Sequence, residues 1–179
     1  ANSLFFKFIK NNYQDLLTDI NRPVFSHTLF KEEILPEMNN PNGTIMIVID
    51  NLRYDQWKLI EKHIRPFYKK TKETPYFSIL PTATQYARNA IFSGLTPLEM
   101  EKKHPEYWKN DEEEGGKNLY EKEFFANQIK RLKLDLTFNY NKITSLKSAK
   151  ELDENFNNLK SSDLSIVVYN FVDMLSHSK

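Results

Sequence analysis

Along the chain, short continuous apolar runs alternate with longer stretches whose apolar residues recur at three- and four-residue steps. The two periods predict buried strands alternating with helices that bury one face. The clearest run is Ile45-Met-Ile-Val-Ile49, largely β-branched and free of polar residues until it ends in Asp50. Such a run reads as a strand buried on both faces, as in a parallel sheet covered by helices. Leu164-Ser-Ile-Val-Val-Tyr-Asn-Phe-Val-Asp173 repeats the design and again ends in Asp. Residues 75–80 and 137–144 predict two further short strands. Helical spacing covers 2–20, 54–67, 119–132 and 149–159, with a poorer amphipathic segment at 25–35. Residues 84–92 predict a helix with Gly94 as its C-cap. A strand–helix–strand–helix order predicts an α/β fold.

The turn-rich Asn39-Asn-Pro-Asn-Gly43 separates a helical linker at 1–40 from a main domain at 41–179. Residues 101–116, ending in Asp111-Glu-Glu-Glu-Gly-Gly116, read as a solvated loop or part of a cap. A formal net charge of +1 gives no global pull towards nucleic acid or membrane. The Lys69-Lys70 and Lys102-Lys103 pairs are too sparse to argue for DNA, so a nucleic-acid partner is left undecided. The absence of cysteine excludes disulfides, thiolate catalysis and Cys-type zinc sites, and suits a cytoplasmic protein. No apolar segment is long enough to span a membrane. The chain begins at Ala1 and stops two residues after His177, and reads as truncated.

Ligands of parallel sheets bind outside the carboxyl ends of the strands, which places Asp50 and Asp173 at one edge. Two strands delivering two carboxylates to one edge is a layout for a metal. Asp173 and His177 stand four apart and share a face if the chain turns helical there; an Asp–His pair suits zinc or manganese. Between the two strands lies Pro81-Thr-Ala-Thr84. By position Thr84 reads as a helix N-cap. It also reads as a nucleophile, because a hydroxyl at a helix N-terminus feels the positive pole and a neighbouring metal would lower its pKa. Arg53 and Arg88 could clamp a phosphoryl group with their bidentate forks or serve as surface residues of their helices. Asn51 and Asn89 could orient substrate oxygens. His27, His63 and His104 fall in exposed-looking segments. A haloacid-dehalogenase-like site with Asp50 as nucleophile fails, because the second Asp needed two residues on is Leu52.

The run Pro81-Thr-Ala-Thr84-Gln-Tyr-Ala-Arg-Asn-Ala-Ile-Phe-Ser-Gly94-Leu-Thr-Pro97 resembles the nucleophile segment of the alkaline phosphatase superfamily. More closely, Val48-Ile-Asp-Asn-Leu-Arg-Tyr-Asp55 with Ile79-Leu-Pro-Thr-Ala-Thr-Gln-Tyr-Ala-Arg88 resembles a PglZ domain, in particular the effector of PorX-type response regulators of type IX secretion in Bacteroidetes. The resemblance covers about residues 44 to 179. It implies an alkaline-phosphatase-like sheet flanked by helices, preceded by the linker from an upstream receiver domain. It implies a two-zinc phosphohydrolase in which Asp50 and Thr84 hold one metal, with Thr84 as nucleophile, and Asp173 and His177 hold the other. A further Asp–His pair and a last His would follow downstream, so the chain as it stands is expected to turn over little substrate. The implied substrate is a phosphodiester, a nucleotide or a cyclic oligonucleotide; a homodimer stays open. The alternative is a non-catalytic signalling module on the same fold, contacting protein or DNA.

Overall fold

A computed structural model describes residues 1–38, 42–109 and 118–170. The turn at 39–41, the acidic run at 110–117 and the stretch 171–179, with Asp173 and His177, lie outside the described residues. The chain divides into two units, one of Ala1–Ile34 with Pro75–Gln128 and one of Leu35–Thr74 with Ile129–Lys179.

The second unit holds a three-stranded parallel sheet of β1 (Thr44–Ile49), β2 (Phe138–Ile143) and β3 (Leu164–Tyr169), in the order β1-β3-β2. Ile49 and Ile143 both stand opposite Tyr169, so the three strands end level. Helix α6 (Leu146–Glu154) links β2 to β3 and starts from a Ser145 cap. Its Ala149 and Leu152 pack with Ile143, Leu159, Val167 and Tyr169 on one face of the sheet. Helix and parallel sheet are thus layered as the α/β reading requires.

β3 is buried from Leu164 to Val168, as a central parallel strand should be. β1 is not. It forms an edge among the described residues, and its Ile45 and Ile47 are 42% and 62% exposed. Apolarity alone cannot distinguish a central strand from an edge, and the expectation of a strand buried on both faces fits β3 rather than β1. Gly43 enters β1 with φ of 79°, where a Cβ would lie 2.9 Å from the Ser162 carbonyl oxygen. Only glycine meets both demands without strain.

Helix α2 (Tyr54–Ile64) follows β1 and anchors the segment after it through charge. Lys58 Nζ reaches Glu61 at 3.2 Å and Glu73 at 2.8 Å, while Lys70 Nζ reaches Glu61 at 2.9 Å and also pairs with Glu73. Hydrogen bonds from the lysines hold both carboxyls down to about 2. The basic Lys69-Lys70 turn therefore spends one of its charges internally.

The first unit contains α1 (Asn2–Thr18), α3 (Thr84–Ser93), α4 (Pro97–Lys103) and the start of α5 (Glu121–Arg131). Segment 25–35 is not an amphipathic surface helix. Phe25 and Phe30 are core residues, and only short irregular turns follow. Phe30 meets Phe125 edge-on at 4.8 Å, and Phe92 meets the same ring at 6.4 Å. The strand expected at 75–80 reduces to one parallel bridge, Phe25 to Phe77, and beyond it the Ile79 N–H donates to the Ser26 hydroxyl at 3.1 Å instead of to a neighbouring strand. The Leu80 N–H donates to the Tyr13 hydroxyl at 2.8 Å, tying α1 to the approach to α3. His27 and His104 are not exposed as their segments suggested. Among the described residues His27 Nδ1 is enclosed without a hydrogen-bond partner; burial, then the Arg22 charge, holds the imidazole below its usual pKa against the pull of Glu99 and Glu32. His104 stacks on Tyr107 at 6.0 Å.

Two consequences are measurable. Gly43→Ala will destabilise the protein by at least about 1 kcal/mol in urea unfolding, since the native φ and the Ser162 carbonyl both oppose a side chain; an unchanged midpoint would contradict the close approach. The Glu61 and Glu73 carboxyls are depressed from 4.5, so their contribution is complete above that pH and is lost as pH falls towards about 2. Glu73→Gln will flatten the fall in urea midpoint between pH 5 and pH 2, and an unaltered slope would remove this network from the pH dependence.

Candidate active site

In the sheet unit, the geometry gathers chain ends at one edge. The Asp50 N–H donates to the Tyr169 carbonyl at 3.1 Å, and the Asn170 N–H donates to the Ile143 carbonyl at 2.9 Å. Asp50 therefore leaves β1 beside the point where β3 releases the chain, three residues before Asp173. Asp50 is half-buried, and Asn51 after it takes the left-handed conformation with φ of 58°, which asparagine tolerates better than most residues. Arg53 is exposed and bound to Asp55, with its Nε and Nη2 on the two carboxylate oxygens at 3.0 and 2.9 Å. The hydrogen bonds of this pair raise the Arg53 pKa and lower that of Asp55.

In the other unit, α3 carries Thr84, Arg88 and Asn89. The N-cap is Ala83, which offers no side-chain bond, and Thr84 is the first helical residue. The capping reading of Thr84 is thereby corrected: a cap lies outside the helix and bonds back to it, whereas Thr84 lies inside. Among the described residues its hydroxyl makes no hydrogen bond. Ala83 caps α3 by backbone alone, its carbonyl accepting from the Tyr86 N–H at 2.9 Å. At the other end Gly94 closes α3 with φ of 61° and an N–H to the Ala90 carbonyl at 2.9 Å. The Gly94-Leu-Thr-Pro97 turn passes directly into α4, where Thr96 and Glu99 form a reciprocal capping box.

Arg88 and Asn89 are buried, at 5% and 2% exposure. Arg88 Nε donates to Glu121 Oε1, a partner that the sequence did not single out. A buried guanidinium needs a counter-charge, so the missed signal was an acidic residue at the head of an amphipathic helix. Gln128 was missed too; its Nε2 donates to the carbonyls of Ile91 at 3.1 Å and Phe92 at 2.7 Å.

The predicted residues thus fall into Asp50, Asn51 and Arg53 in one unit, Thr84, Arg88 and Asn89 in the other, and Asp173 and His177 outside the described residues. Among the described residues no three His, Cys, Asp or Glu side chains cluster as a metal site. The donor types still suit a divalent cation of intermediate hardness: a carboxylate at a strand end and a hydroxyl not spent on capping, with an Asp–His pair in sequence after β3. A separate hollow of about 450 Å³ between β2 and α6, lined by Asn139, Asn141, Glu151, Asn155 and Asn158 among others, contains none of the predicted site residues. No helix among the described residues is long and apolar enough to cross a membrane.

The family described as "BREX system PglZ alkaline phosphatase-like domain" matches residues 29–179. No curated protein matches the chain.

Proposed function

The chain belongs to the PglZ alkaline phosphatase-like family, and from that premise we propose that it supplies the nucleophile and part of the metal shell of a zinc-dependent phosphohydrolase. The observation that carries this reading is the first turn of α3. It presents an uncapped helix N-terminus with a threonine hydroxyl that makes no hydrogen bond among the described residues. The positive helix pole suits the oxygens of a phosphoryl group. Asp50 and Thr84 would hold one zinc ion and Asp173 with His177 a second. Bound there, the metals supply Lewis-acid polarisation and a lowered hydroxyl pKa.

Thr84 Oγ1 forms a bond to phosphorus as the bond to the leaving oxygen breaks; the hydroxyl proton goes to solvent and the leaving oxygen takes one up. Water then cleaves the phosphothreonine ester and regenerates the hydroxyl. Phosphodiesters, nucleotides and cyclic oligonucleotides are the substrates to which we extend the reading. From the likeness of 48–55 and 79–88 to PorX-type effectors, we extend the setting to a cytoplasmic response regulator linked to type IX secretion.

In the full-length, zinc-loaded protein, Thr84→Val will lower turnover of a bis-aryl phosphodiester by on the order of a thousandfold or more, with the fold retained. Chelation will abolish the parental rate and added zinc will restore it. Equal rates for parent and variant would remove Thr84 from the chemistry. Absence of turnover, with partner binding indifferent to Thr84→Val, would identify a non-catalytic signalling module instead.

A further inference from the structure

Helix α3 is unevenly anchored. Arg88 through Ser93 is buried, whereas 84–87 is only half-buried. Arg88 is therefore the first deeply held residue behind the turn that carries Thr84, and it lies four residues on, along the same helix face. Its counter-charge Glu121 is 1% exposed and opens α5. Gln128, two turns further along α5, binds the Ile91 and Phe92 carbonyls. One helix thus grips α3 at both ends of its buried stretch.

A buried ion pair is a poor means of gaining stability, because apolar residues of similar volume usually serve as well or better, while removal of one partner costs heavily. What the pair adds is direction, since the guanidinium N–H must point at the carboxylate. We infer that the Arg88–Glu121 pair is a positioning device for Thr84. It fixes the first turn of α3, and with it the hydroxyl, and Arg88 acts through the helix rather than on the phosphoryl group. Its guanidinium already faces a carboxylate and is closed off from solvent, which leaves it poorly placed to clamp substrate. The inference rests on the reading of Thr84 as nucleophile.

The test compares Arg88→Gln, Glu121→Gln and their combination in the full-length zinc-loaded protein, using a bis-aryl phosphodiester and amide hydrogen exchange. Each single variant is expected to lower kcat by about tenfold to a hundredfold, the usual penalty for a slightly misplaced reacting group, with KM within about twofold of the parent. The combination is expected to be no worse than either. In Glu121→Gln the amides of Tyr86, Ala87 and Arg88 will exchange about tenfold faster while those of β1, β2 and β3 stay protected. Should these variants fold poorly, Arg88→Met with Glu121→Leu keeps the volume without the charges; it will melt at or above the parent yet retain the loss in kcat. A rise in KM confined to the Arg88 variants would show direct phosphate contact and overturn the inference, as would a Met/Leu protein with parental kcat. If Thr84→Val keeps parental turnover, the nucleophile reading falls and exchange alone decides: selective loosening of Tyr86–Arg88 sustains the positioning role, and unchanged protection overturns it.

Discussion

Parallel pairing around β3 requires both neighbouring strands to leave the sheet at the same end, and the common register makes them leave at the same height. Every later feature of the sheet unit follows from that constraint. Asp50 is carried to the edge because β1 ends level with β3, and β3 ends beside it at Tyr169. The metal-ligand role proposed for Asp50 needs such a fixed backbone, and a strand end hydrogen-bonded to its neighbour supplies one. The left-handed Asn51 turns the chain away directly afterwards.

In the other unit, position is fixed by different means. No side chain caps the start of α3. Its placement comes from its buried second half, from the Arg88–Glu121 pair and from the Gln128 bridge to its last carbonyls. Leaving the first turn uncapped costs roughly 1 kcal/mol relative to a good cap. The proposed nucleophile stands at this turn, and a functional site is where a local rule of helix design is expected to be broken.

Much of this was legible in the sequence, for physical reasons. The apolar runs located β1 and β3; β1 stops at the residue before Asp50, whereas β3 ends at Tyr169, short of the Asp173 that closes its run. Gly94 located the end of α3, since a left-handed cap favours glycine. The start of α3 was harder: Thr84 had the chemistry of a cap, and the backbone of Ala83 took that place. Burial was the least legible. Ile45 and Ile47 resemble Ile166 and Val168 in composition, and only strand order separates an exposed edge from a centre. Phe25 and Phe30 are core residues of a segment without regular period, so periodicity could not find them. The counter-charge of Arg88 lay 33 residues away, a long-range pairing that no local pattern encodes.

The account stands or falls on whether Asp50 and Asp173 hold metal. Elemental analysis of the full-length protein, beside Asp50→Ala and Asp173→Ala, measures this directly. The account predicts about two zinc ions per chain, as in paired-metal phosphohydrolases, with a loss in each variant. Metal-free protein, with both variants folded and unchanged, would contradict it.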